Sequence, residues 1–257
     1  MENHPTPFDL SGRTALITGS SRGLGWSTAR CLADLGATVA INGRNEELVT
    51  DRCEAIRAVG GQAISASCDV TDGAALDTMI DDVIGQVGAV DIFVSSAAQF
   101  LVRPIEDTTD QEINTLFDGK LFSAMAAARR LTPSMRERGW GRIVLMSSIG
   151  IMASGGLAPV DAAASAALSS FAKALSTSLA PHGVTANAIA PGFMQTDTTA
   201  IFRQEPGQDD WITTRVPAGR WGRPDEIGWP AAFLCTPAAS FITGHTLVID
   251  GGITSSY

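Results

Sequence analysis

The sequence predicts an α/β protein built on a doubly wound, parallel, seven-stranded sheet with helices on both faces. Two observations carry that expectation. Short runs of apolar residues, such as TALIT and RIVLMS, alternate with longer stretches of helical periodicity. Within the short runs, apolar and polar residues do not alternate. Such strands are buried on both faces, as in a parallel sheet covered by helices. Right-handed crossovers then wind the sheet outward in both directions. Ligands of these sheets bind at the carboxyl ends of the strands, so the residues just past each strand matter most.

The elements are expected in this order. Residues 13–18 form a first strand, and residues 24–35 a helix that stops at Gly36. Residues 38–42 are a second strand, 46–59 a helix closed by Gly60-Gly61, and 63–67 a third strand. Residues 71–87 are helical, with Asp72 near the start, and 90–95 are a fourth strand. A long helix spans 110–138, and a fifth strand 142–147. An Ala-rich helix covers 161–179, a sixth strand 184–190 and a seventh 246–250. No repeat, low-complexity tract or linker divides the chain, so residues 1–257 are expected to form one domain. Segment 193–215, with Phe202, Trp211, Asp209 and Asp210, is expected to be a flexible lid over a small organic substrate.

At 45% hydrophobic residues and a mean hydropathy of +0.14, the chain can bury a large core. Its net charge of −9 argues against a nucleic-acid partner, which needs a basic surface. The N-terminal MENHPTPFDL lacks the basic start and apolar run of an export signal. No apolar stretch approaches the roughly 20 residues of a membrane span. A cytoplasmic protein without a membrane partner is therefore expected. Cys31, Cys53, Cys68 and Cys235 are scattered and read as reduced, structural thiols. His4, His182 and His245 are scattered too, and no metal site is expected.

The first strand runs into TGSSRGLG and then a helix. Gly19, Gly23 and Gly25 permit a tight turn and close backbone approach to a pyrophosphate. The N–H groups around Ser21, Arg22 and Leu24, at the positive end of the helix, supply the donors. A plain strand–helix turn would use the same glycines. The second strand ends in Asn42-Gly43-Arg44, without the acid that grips the ribose hydroxyls of NAD. Arg22 and Arg44 can bracket a 2′-phosphate instead, which favours NADP(H), or they can be two solvated surface arginines. After the third strand, Asp69 and Val70 stand where an adenine edge can be read; Asp69 can equally be a helix cap.

These segments, with CDVTD, DIFVSSAA, GRIVLMSS, NAIAPGFMQTD, GRPDEI and FITGHTLVIDGG, resemble the short-chain dehydrogenase/reductase family over nearly the whole chain. The resemblance implies a Rossmann fold and carbonyl/alcohol redox chemistry with NADP(H). It is nearest to gluconate 5-dehydrogenase-like and 3-oxoacyl reductase-like members. It also implies that residues 187–197 hold the nicotinamide end, with Pro191-Gly192 as the turn and Thr196 as a carboxamide contact. Ala97, beyond the fourth strand, lines the cofactor in the same reading. Family members use a Ser to polarise the carbonyl, a Tyr to protonate it, a Lys four residues later, and an Asn in the long helix.

Here only the Ser is matched, by Ser148. Thirteen residues on, the Tyr position holds Asp161; the Lys position holds Ser165; the Asn position holds Lys120. The family's Asn-Asn-Ala-Gly is Ser95-Ser96-Ala97-Ala98. A shift of register does not restore the site. The single tyrosine is Tyr257, and the other lysine, Lys173, lies about 18 Å along the helix from position 161. If Asp161 and Lys120 meet, the expected state is carboxylate and ammonium. That is a poor proton donor, but the carboxylate can abstract a proton beside a carbonyl while the ammonium polarises the enolate.

This substituted site is compatible with three functions. One is an NADP(H)-dependent oxidoreductase with a non-standard site, acting on a small carbonyl or hydroxy compound. The second is a non-redox isomerase or lyase using Asp161 and Lys120. The third is a catalytically silent NADP(H)-binding homologue in which the pair is only a salt bridge. Ser165, Ser95 and Ser96 read as small polar fillers, and His182 and His245 as structural. The Ala-rich segment 162–174 resembles the helix that family members bury between subunits, which implies a homotetramer or homodimer; packing on the sheet would use the same residues.

Overall fold

The computed structural model describes residues 6–97, 100–152, 158–204 and 207–256, and leaves out the side chains of Ile201, Phe202 and Gln208. His4, Ala98, Tyr257 and the Phe202 side chain, all singled out in the sequence, lie outside the described residues. The elements in order are β1 Thr14–Thr18, α1 Gly23–Asp34, β2 Thr38–Ile41, α2 Glu46–Ala58, β3 Gln62–Ser65, α3 Gly73–Val87 and β4 Ile92–Ser95. Next come α4 Asp110–Phe117, α5 Ser123–Glu137, β5 Gly141–Met146, α6 Pro159–Leu179 and β6 Val184–Pro191. The last are α7 Ala200–Gln204, α8 Gln208–Arg215, α9 Asp225–Cys235 and β7 Thr246–Ile249.

All seven strands join one parallel sheet, in the order β3-β2-β1-β4-β5-β6-β7. Strand β1 shows why the apolar runs are continuous. Side chains alternate between faces along a strand, and here both faces are covered. Ala15 and Ile17 pack with Ala29 and Leu32 of α1, Val49 and Ile56 of α2, and Ile227 and Ala231 of α9. Leu16 packs the other way, with Leu76 and Ile80 of α3, Ala127 and Leu131 of α5, and Leu168 of α6. The chain reverses its direction of winding between β1 and β4, and that switch point opens the cleft at their carboxyl ends.

Element boundaries fall within a residue or two of expectation, with three instructive differences. Helix α3 starts at Gly73 rather than residue 71, because Asp72 caps it by accepting the Ala74 and Ala75 N–H groups. Asp69 is therefore not the cap. The long helix expected over 110–138 is interrupted by a π turn, Asp118–Phe122, between α4 and α5. Helix α9 is not legible in the sequence, because Gly228 and Pro230 both break a helical pattern. The structure explains Gly228: a Cβ there would sit 2.6 Å from Ser27 Oγ and 2.9 Å from Cys31 Sγ, so glycine lets α9 lie close on α1. Among the described residues, no helix is long and apolar enough to cross a membrane.

Candidate active site

The glycine loop closes the carboxyl end of β1. Gly19 has φ +64° and Gly23 φ +59°, both left-handed conformations that glycine alone adopts without strain. A Cβ on Gly19 would lie 2.6 Å from Ala97 Cα, so the loop lies directly on the segment after β4. A Cβ on Gly25 would drive into the Gly19 carbonyl. Helix α1 has no side-chain cap: Arg22 occupies the cap position, and its carbonyl accepts the Trp26 N–H. Among the described residues, none accepts the N–H groups of Arg22, Gly23, Leu24 or Gly25. Orphan donors at the positive end of a helix, over a surface kept free of side chains, are what a cradle for an anion requires.

Asn42, at the end of β2, braces this loop. Its Oδ1 accepts the Gly19 N–H at 3.0 Å and its Nδ2 donates to the Ala66 carbonyl at 2.8 Å. Its backbone exchanges hydrogen bonds with Ser20. The sequence shows that no acid stands here but does not disclose the role of the amide, which is buried and fully occupied.

Arg22 and Arg44 are both exposed at the edge of the cradle. Arg44 lies 3.9 Å from Asp69, a loose ion pair across the loops after β2 and β3. Asp69 Oδ1 accepts from the Thr71 N–H and hydroxyl, at 3.0 and 2.8 Å. The Thr71 N–H holds the Asp69 carboxyl below its usual range; burial opposes this, and the Thr71 hydroxyl and Arg44 add to it. Val70 is buried, and among the described residues nothing accepts its N–H. Across the cleft, a Cβ on Gly23 would come within 3.8 Å of Thr196 Cγ2, so Thr196 stands over the same loop. Ser21 is half-buried beside Gly43, where a Cβ would lie 2.7 Å from the Ser21 hydroxyl.

The second half of the site lies between β5, α6 and the π turn. Ser148 comes just after β5 and is half-buried; its Oγ accepts the Gly150 N–H at 3.1 Å, and among the described residues nothing accepts its O–H. Lys120 and Asp161 do meet: Lys120 Nζ donates to Asp161 Oδ1 at 2.9 Å. Both are buried, at 4% and 2% exposure, and that degree of burial requires charges to be paired. A π turn closes hydrogen bonds over one residue more than an α-helix, and such turns concentrate at functional positions. This one delivers Lys120 to α6.

Ser165, one turn beyond Asp161, is fully buried with its hydroxyl 3.5 Å from Asp161 Oδ2. Its carbonyl accepts the Ser147 hydroxyl at 2.9 Å, and Ser147 in turn accepts from Ser169. The floor of the site is thus serine-rich and hydrogen-bonded, with one ion pair set into it.

The remaining candidates sort simply. Lys173 is exposed on α6, well away from Asp161. Ser95 is buried within β4. His182 contacts the Arg136 guanidinium at 3.1 Å, and the His245 backbone N–H is taken by Asn187 Oδ1. Asn187 therefore ties β6 to the approach of β7 rather than facing the cleft. All four cysteines are free, and burial pushes the Cys31 thiol up to about 11 and the Cys235 thiol up to about 12. Within segment 193–215, Phe193 meets Trp211 and, further along, Trp221 edge-on, at 5.6 and 5.9 Å between ring centroids. The Trp221 indole donates to Asp209, and Ile212 and Val216 complete a small separate core.

Residues 19–254 match the family model described as enoyl-(acyl carrier protein) reductase. The chain is 37% identical to gluconate 5-dehydrogenase of Gluconobacter oxydans (strain 621H), covering 99% of each protein. It is 33% identical to 3-oxoacyl-[acyl-carrier-protein] reductase of Escherichia coli (strain K12), covering 96% of this chain and 99% of that one. Its fold superposes with a TM-score of 0.93 on a gluconate 5-dehydrogenase from Burkholderia cenocepacia J2315, solved in complex with NADP and tartrate. That protein is 35% identical, with 98% of each chain covered.

Proposed function

The chain belongs to the short-chain dehydrogenase/reductase family, and from that premise we propose that it is an NADP(H)-dependent oxidoreductase with a rebuilt proton-transfer site. Its substrate class is a small hydroxy or keto compound of the sugar-acid type, in line with the relatives' names. The observation that carries the cofactor assignment is the uncapped, side-chain-free cradle at the start of α1. Gly19, Ser21, Arg22, Gly23, Leu24 and Gly25 receive the pyrophosphate. Arg22 and Arg44 receive the 2′-phosphate, Asp69 and Val70 the adenine edge, and Ala97 and Thr196 the nicotinamide half.

The bound cofactor supplies the hydride; the chain supplies orientation and charge. The Ser148 hydroxyl, with its O–H free, polarises the substrate carbonyl. Asp161 and Ser165 stand where the family has its Tyr and Lys, and the Lys120 ammonium enters that floor from another helix with its charge balanced by Asp161. Among the described residues no phenol is present to protonate the oxygen, so the proton comes through Ser148 from water. Loss of a dedicated general acid typically costs about 10²–10⁴-fold, and slow turnover is expected. Segment 193–215 acts as the substrate lid, and α6, with exposed Ala163 and Ala166, as a subunit contact.

Titration with NADPH and then absorbance assays on 5-keto-gluconate and other small ketones test this reading. Tight NADPH binding with slow, substrate-dependent oxidation is expected. Binding without NADPH oxidation on any ketone would leave a silent nucleotide-binding homologue. Gly25→Ala is expected to weaken NADPH binding at least about a hundredfold, since its methyl group must displace the Gly19 carbonyl. Isothermal titration checks this, and an unchanged Kd would mean that the cradle does not receive the pyrophosphate.

A second reading rests on the 2.9 Å Lys120–Asp161 pair: Asp161 as base and Lys120 as enolate stabiliser in an isomerase or lyase. Deuterium uptake from solvent into a ketone substrate, abolished in Asp161→Asn, is its expected signature. Uptake unaffected by that substitution would eliminate it.

A further inference from the structure

We propose that Arg52 is a positioning residue for the 2′-phosphate, setting the preference for NADP(H) over NAD(H) by holding the Ser21–Arg22 turn in place. This rests on the nucleotide assignment above. Arg52 lies on the second turn of α2, and its Nε–H donates to the Ser21 carbonyl at 2.9 Å. Its guanidinium lies over the Trp26 ring, 4.9 Å from the centroid, and Trp26 belongs to the first turns of α1. One side chain thus grips the loop and the helix whose N-terminus forms the anion cradle.

Arg52 and Arg57 of this helix both donate to backbone carbonyls, of Ser21 and Ala63, rather than to an acid. Helix α2 carries Glu46, Glu47, Asp51 and Glu54, with which a surface arginine three or four residues away would pair. The positions three and four residues from Arg52 are Leu48, Val49, Ala55 and Ile56. Among the described residues no carboxylate pairs with Arg52, and no protein acceptor takes its Nη groups. Its guanidinium is held at the loop by the Ser21 carbonyl and the Trp26 ring.

Ser21 is the junction through which Arg52 acts. Arg22 is its immediate neighbour in the chain. Gly43, where a Cβ would stand 2.7 Å from the Ser21 Oγ, directly precedes Arg44. A shift of Ser21 therefore displaces both arginines that bracket the 2′-phosphate. A planar guanidinium can fix the carbonyl through Nε and stack on the indole at once, which an ammonium cannot reproduce.

The test measures Kd for NADPH, NADH and 2′,5′-ADP by isothermal titration, on the full chain and on Arg52→Met and Arg52→Lys, with the Tm of each unliganded protein. Arg52→Met is expected to weaken NADPH and 2′,5′-ADP about tenfold and NADH, which shares only the pyrophosphate contacts of this turn, by a clearly smaller factor, so that the NADPH/NADH preference falls. Arg52→Lys keeps the charge but loses the fork, and its NADPH/NADH ratio is expected to stay nearer that of Arg52→Met. Equal weakening of NADPH and NADH would reduce Arg52 to a structural staple and overturn the proposal. So would an unchanged ratio in Arg52→Met, or full restoration by lysine, which would assign the effect to charge alone. If the wild-type chain binds neither NADPH nor 2′,5′-ADP, the nucleotide assignment itself is at fault.

Discussion

Urea denaturation of Asp161→Asn is expected to show a loss of about 3–5 kcal/mol, because the substitution leaves the Lys120 ammonium buried without a counter-charge. Lys120→Met is expected to cost a similar amount, since it strands the Asp161 carboxylate with only a long contact to Ser165. The double variant Lys120→Met/Asp161→Asn removes both charges, keeps the side-chain volumes and leaves an amide beside the Ser165 hydroxyl. It is expected to fall within about 1 kcal/mol of wild type or above it, because a buried ion pair repays its desolvation only in part. The two single losses would then fail to add, as is usual for contacting residues. Single variants losing less than about 1 kcal/mol would mean that water reaches the pair, and the sealed ion pair would have to be abandoned.

The contrast between what the sequence discloses and what it hides has a physical basis. Buried parallel strands are legible because both faces demand apolar residues, and β1, β4 and β5 are continuous apolar runs for that reason. The glycine loop is legible because Gly19 and Gly25 answer to steric limits a few ångströms away. Helix α9 is hidden because tight packing on α1 selected Gly228, the residue that weakens a helical pattern.

The site divides along the same line. Lys120 and Asp161 can be matched from the sequence because the family resemblance puts them at the Asn and Tyr positions of one site, and opposite charges brought there pair. The π turn that brings them together cannot be read, since a one-residue change of helical register leaves no compositional trace. Arg52 and Asn42 escape a sequence reading because both act through backbone carbonyls and amides of residues far away in the chain. Hydrogen bonds to main chain carry no side-chain signature at the receiving end.

The largest gain is expected from rebuilding the family's proton-transfer groups in the variant Lys120→Asn/Asp161→Tyr/Ser165→Lys. Positions 161 and 165 are one turn apart on α6, so a phenol and an ammonium placed there share a face. That face adjoins Ser148: Gly150, whose N–H the Ser148 hydroxyl accepts, lies against Ala162, where a Cβ on Gly150 would stand 3.6 Å from Ala162 Cα. Removing Lys120 is required for two reasons. Its buried stem occupies volume that the phenol ring needs, and its ammonium would repel a second one at position 165. NADPH-dependent ketone reduction in the triple variant is expected to rise by about 10²–10⁴-fold over wild type, the usual worth of a positioned general acid. The double variant that retains Lys120 is expected to gain far less and to lose stability. Titration with NADPH supplies the control, because none of the three positions touches the glycine cradle and Kd should stay constant. A triple variant that folds and binds NADPH but remains inactive would mean that the cleft has changed beyond these positions. The carboxylate at 161 would then be better understood as selected for its own chemistry than as the remnant of a lost reductase.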